Sequence, residues 1–103
     1  MLVEEMSHET FLPRLHQEFS LETSEAGTLS LCLTEVKAHG VPPPNVGYTV
    51  KRRPFSLLFL GPCDPVLPQR IYPMSHPVLG AFELFIVPVG RDERGVRYEA
   101  VFS

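Results

Sequence analysis

The sequence predicts a mostly-β domain. The architecture it points to is a small antiparallel barrel, or a strongly curled sheet, of about six strands with one short N-terminal helix. Three observations carry this. Side chains alternate with the period of two that belongs to strands over residues 82–87 and 96–102. The large apolar residues concentrate in residues 55–102, rich in the β-branched and aromatic types that suit a pleated surface. Eleven prolines and seven glycines leave little room for long helices.

In chain order, Ser7 can cap a helix over residues 7–16, with Glu9 in its first turn. Phe11, Leu12 and Leu15 share one face, which suits docking on an open end of the sheet. Pro13 removes a backbone donor, so the helix is short or kinked there. Residues 17–23 read as a strand with Phe19 and Leu21 inward, and Ser24-Glu25-Ala26-Gly27 as a turn. Residues 28–37 read as its hairpin partner, with Leu29, Leu31 and Leu33 facing the core. Residues 38–54 form a long connection containing Pro42-Pro43-Pro44 and the basic trio Lys51-Arg52-Arg53. The prolines favour an extended polyproline conformation, and connections of this length are usually functional or disordered.

Phe55, Leu57 and Phe59 alternate with Ser56, Leu58 and Leu60, so this strand is apolar on both faces. Such a strand is covered on both sides or meets another element or chain. Residues 68–76 read as a further strand on a mixed pattern through Gln69, Ile71 and Met74. Pro68, Pro73 and Pro77 mark it as an edge or bulged strand. The last two strands join through the polar stretch 90–95. Placing Ile86 opposite Tyr98, Leu84 opposite Ala100 and Phe82 opposite Phe102 gathers the apolar side chains on one face. Phe85, Val87, Val101, Glu83 and Glu99 then lie on the other.

At 103 residues the chain is expected to be one domain, residues 1–103. Its net charge of −3 gives no general attraction for nucleic acid. No apolar run approaches the roughly 18 residues of a membrane span. The acidic start lacks a signal peptide's basic and apolar regions, so a cytoplasmic location is expected. Cys32 and Cys63 show no metal-site spacing and are expected to be reduced.

Catalytic motifs are missing from the sequence: there is no G-x-S-x-G, P-loop, G-x-G-x-x-G or H-E-x-x-H. His8, His16, His39 and His76 are scattered, with no zinc-ligand spacing. His76, at a strand end before Pro77, is better suited to fixing a turn than to catalysis. Glu83 and Glu99 sit beside Arg91, Arg94 and Arg97 and read as a solvated charge cluster. The chain is therefore expected to be no enzyme and to bind no cofactor or metal.

Three motifs carry a resemblance: FSLLF-x-GP, then LPQ-x-x-Y-x-x-x-HP-x-LG, then ELF-x-VPVGRD-x-x-GVRYEAVF. They run over residues 54–102, with a looser F-x-P-x-L-x-x-x-F pattern at Phe11, Pro13, Leu15 and Phe19. In these the chain resembles an uncharacterised family of small bacterial proteins, a domain of unknown function. The resemblance implies a structural or assembly role, accessory to a phage-tail-like assembly.

The expected function is a non-enzymatic structural or protein-interaction module. The partner is a protein or a second copy of the chain, with no nucleic acid and no membrane. Its candidate interaction surface is Phe85, Val87, Val101, Leu58 and Leu60, exposed unless the N-terminal helix covers it; the helix is the favoured cover. The alternative is a small-ligand-binding or catalytic barrel, which requires a polar cavity around His76, Tyr72 or Gln69.

Overall fold

The computed structural model describes residues 3–39 and 54–102. The strands are β1 (Glu18–Thr23), β2 (Gly27–Ala38), β3 (Phe55–Gly61), β4 (Arg70–His76), β5 (Gly80–Asp92) and β6 (Gly95–Phe102). They close into an antiparallel barrel in the order β1-β2-β3-β6-β5-β4. Most of the expected 38–54 connection, with its prolines and its basic trio, lies outside the described residues.

Alternation sorts the side chains. Phe19 and Leu21 of β1, Leu31 and Leu33 of β2, and Phe55, Leu57 and Phe59 of β3 are buried inside. Leu29, expected in the core, is half-buried and packs against it from the side. The expected β1–β2 hairpin is present, with Phe19 opposite Leu31 and Leu21 opposite Leu29. A bulge in β2 between Leu33 and Glu35 frees the Thr34 hydroxyl to donate to the Leu58 carbonyl at 3.0 Å.

The N-terminal segment plugs one end of the barrel. It comprises a 3-10 turn (Val3–Glu5), the single α-helical turn α1 (His8–Phe11) and a second 3-10 turn (Leu12–Arg14). Thr10 Oγ1 accepts from the Ser7 N–H at 3.0 Å, which closes the start of α1. The helix expected over residues 7–16 is thus cut to one turn, because Pro13 carries the chain into 3-10 geometry. Phe11 is fully buried, with its ring 5.7–6.4 Å from those of Phe19, Phe55, Phe82 and Phe102. The favoured placement of this segment on the outer face is therefore overturned. Its large apolar side chain finds more surface to bury among four aromatic rings inside the barrel mouth.

Leu67, in the loop after β3, is buried near Tyr98, and its N–H donates to the Tyr98 hydroxyl at 2.9 Å. Two glycines permit the close approach of strands there. Gly95 has φ 145°, and a Cβ on it would lie 2.0 Å from the Gly61 carbonyl oxygen. A Cβ on Gly61 would lie 2.6 Å from Leu31 Cδ2.

The β5–β6 register differs from the expected one. Val87 pairs with Glu99 and Pro88 with Tyr98; after a bulge, Gly90 pairs with Arg97 and Asp92 with Gly95. Ile86 is not opposite Tyr98. The shift is by two residues, so the faces survive: Ile86 and Tyr98 are both buried. The connection is the tight turn Glu93-Arg94 rather than a loop over 90–95, and the bulge follows Pro88, which has no donor to offer the ladder. β4 is likewise not an edge, since it pairs with β5 along its whole length and with β1 at Met74 and Ser75. Its ladder toward β1 does not extend to Pro73. The mixed pattern resolves with Tyr72, Met74 and His76 inward and Ile71 outward.

Candidate functional outer wall

The register assembles the predicted surface residues into one outer wall. Leu58 and Val87 are both direct partners of Glu99, from its two sides. Leu60 is paired with Arg97, and Val101 with Ser56. Phe85 lies two residues before Val87 on the same face of β5 and is paired with Ile71 of β4. Leu58, Leu60 and Val87 are half-buried, whereas Phe85 is 50%, Ile71 60% and Val101 66% exposed. Ile71 was not among the predicted surface residues. Its pairing with Phe85 follows from the β4–β5 hairpin, whose register no pattern in the sequence fixes.

Charge around the apolar patch is partly neutralised. Arg97 Nη1 lies 2.6 Å from Asp92 Oδ2. That hydrogen bond, with a second from the Arg94 N–H, holds the Asp92 carboxyl below its ordinary range. Glu83 and Glu99 do not form the expected cluster. Glu83 is paired with Pro73, and it lies four residues along β5 from Glu99's partner Val87, roughly 13 Å at strand rise. The pair cannot share a proton at that distance.

The polar groups that would serve a ligand-binding interior are already engaged. Tyr72 points inward, but its hydroxyl donates to the Pro68 carbonyl at 2.7 Å, and burial raises its pKa. His76 is held by Gln17, Val78 and Leu79, the turn-fixing role its position suggested. Gln69 is exposed. A surface cleft, lined by Glu22, Pro73, Met74, Ser75 and Ala81, lies outside the barrel, where β4 meets β1. Among the described residues, no three of His, Cys, Asp and Glu converge to hold a metal ion, and no helix is long and apolar enough to cross a membrane. Cys32 and Cys63 are free thiols, and Cys63 Sγ lies within 3.6 Å of the Asp92 and Glu93 carbonyls.

One polar pair has no signature in the sequence. His39 Nε2 lies 2.8 Å from Ser56 Oγ. A serine beside a histidine is the start of a nucleophile. Here Ser56 is only 6% exposed, in a strand paired on both sides, and among the described residues no carboxylate orients His39. The pair instead ties the two ends of the 38–54 connection, beside the His39 N–H bond to the Pro54 carbonyl at 2.8 Å. The two residues are seventeen apart, and no local spacing announces such a contact.

No curated protein and no solved structure matches the chain. A family model described as a domain of unknown function (DUF6916) matches residues 6–102, nearly the whole barrel with its plug, and the chain belongs to that family.

Proposed function

We propose that the chain is a non-enzymatic protein-interaction module that docks a protein partner on the outer wall around Phe85 and Val101. The observation that supports this reading is the pairing of large, exposed apolar side chains, Phe85 against Ile71, beside Val87 and Val101. A closed barrel has an interior in which to bury such residues, so an adjacent group of them left outside marks a contact surface. The interior of this barrel is filled by aromatic and aliphatic side chains, and the inward Tyr72 and His76 are already hydrogen-bonded within the chain, which disfavours a ligand-binding or catalytic barrel. A second copy of the chain is the simplest partner, because one patch can face itself across a two-fold axis. Two free thiols suit a reducing, cytoplasmic setting. An accessory role in a phage-tail-like assembly is the finer form of this reading and rests on the family resemblance.

Phe85→Ser tests the proposal. Burying the exposed half of a phenylalanine contributes about 1–1.5 kcal/mol, so the variant should weaken self-association or partner capture about tenfold. Its folding stability should move by about 1 kcal/mol or less, the scale of a cross-strand pair. Sedimentation and pull-down, with a urea titration alongside, read both. Undiminished association in a folded variant removes Phe85 from the contact.

A further inference from the structure

We propose that His76 is an acid-sensitive clasp that holds the barrel shut where β1 meets β4. This join is the weakest in the wall. β1 and β2 are paired from Glu18–Cys32 to Thr23–Gly27, and β3 and β6 along the whole of β3. The β1–β4 ladder has only Ser20 opposite Ser75 and Leu21 opposite Met74. So short a ladder resists opening poorly by itself.

The imidazole bridges this join. His76 ends β4 and is 6% exposed. Its Nε2 is 2.7 Å from Oε1 of Gln17, the residue immediately before β1. Its Nδ1 accepts from the Val78 N–H at 3.1 Å and the Leu79 N–H at 3.4 Å, in the turn that leads to β5. A nitrogen that accepts from amides carries no proton, so the neutral ring holds its hydrogen on Nε2 and donates it to Gln17. One ring thereby links the start of β1, the end of β4 and the β4–β5 turn. Protonation would place a hydrogen on Nδ1, facing two N–H groups, and both turn bonds would be lost.

Burial and a nearby positive charge oppose that protonation. Phe19 of β1, whose ring centroid is 4.7 Å away, shields the imidazole from water. The turn contributes amide hydrogens. The 3-10 turn Leu12–Arg14 contributes the charged Arg14, and no carboxylate among the described residues acts on the ring. Burial first, and Arg14 second, push the His76 pKa below its ordinary value of 6.5. The unfolded or opened chain takes up its proton near that value, while the closed barrel resists it. The clasp's contribution is therefore complete above about pH 6.5 and is lost as pH falls through the lower folded-state value. Acid should part β1 from β4 before the rest of the barrel yields.

Amide hydrogen exchange on the full chain at about pH 7.5 and about pH 5.5, corrected for intrinsic rates, tests this without a variant. The expected result is an about tenfold loss of protection at residues 20, 21, 74 and 75 on acidification, with little change at Leu57 and Tyr98 of the β3–β6 ladder. Equal loss in every ladder, or none at the four residues, overturns the proposal. Arg14→Gln should lessen the loss of protection between the two pH values, because it raises the closed barrel's affinity for the proton toward that of the opened chain and narrows the gap that drives opening. A loss of protection that Arg14→Gln leaves unchanged assigns the transition to another group and overturns the clasp.

Discussion

Gly95→Ala is expected to remove roughly 3–5 kcal/mol of stability, from the strained backbone and the overpacked contact together. Small domains hold about 5–15 kcal/mol in total, so the variant should lose a large share of its stability. The residue has φ 145°, a conformation that L side chains rarely adopt, and its added Cβ would sit 2.0 Å from the Gly61 carbonyl oxygen. The contact is backbone against backbone, so relief requires the strands to move apart. Gly61 is the last residue of β3 and is paired with Val96, and Leu31 and Tyr98 occupy the space that a Cβ on it would need. Gly27→Ala is the control. Gly27 has φ 71° with open space around it, so only the left-handed backbone cost of about 1–2 kcal/mol applies. Urea titrations of both variants separate the contact from the conformation. A Gly95 variant no worse than the Gly27 variant would show that β3 and β6 do not approach as closely as described.

Phe11→Ala is expected to cost about 3–5 kcal/mol, the scale for deleting a buried phenylalanine. The hole it leaves is framed by four aromatic rings. Phe55 and Phe102 already stack on one another at 4.3 Å and 10°, so they cannot both turn to fill it. Leu12, the next residue, is 49% exposed, and Leu12→Ala should change stability by about 0.5 kcal/mol or less. Thermal or urea unfolding of the pair checks the asymmetry. Similar small losses from both would mean that the N-terminal segment lies on the barrel without plugging it.

Much of the fold could be read from periodicity, and residues 82–87 and 96–102 show why. A period of two assigns faces whatever the pairing, so Ile86 and Tyr98 face inward even though they are not partners. Pairing is set by the turn. Gly90 looked like the start of a loop, yet it remains in the ladder opposite Arg97, whose guanidinium lies against it. The chain reverses at Asp92, where the side-chain carboxylate accepts from the Arg94 N–H at 2.9 Å. An aspartate two residues ahead of that amide was the available signal for the turn. Pro13 announced a broken helix, but nothing local says whether Phe11 enters the barrel or lies on its wall. That choice depends on the gap between Phe82 and Phe102, which exists only once the strands are closed. The outer-wall residues were legible for the same reason as the core: alternation places Phe85 and Val101 opposite to Leu84 and Ala100. Their neighbour Ile71 was not, because the prolines around it obscure the register of β4.

The most direct measurement compares two variants for partner binding. One is Phe85→Ser; the other replaces Lys51, Arg52 and Arg53 together with Ser. A net charge of −3 provides little long-range steering, so affinity at this surface must come from buried apolar area. Sedimentation for self-association and pull-down for other partners should show binding weakened about tenfold in Phe85→Ser, with the urea midpoint near that of the parent chain, and binding unchanged in the basic-trio variant. Binding lost in the basic-trio variant and kept in Phe85→Ser would contradict the account and assign the partner to an electrostatic contact through the connection between β2 and β3.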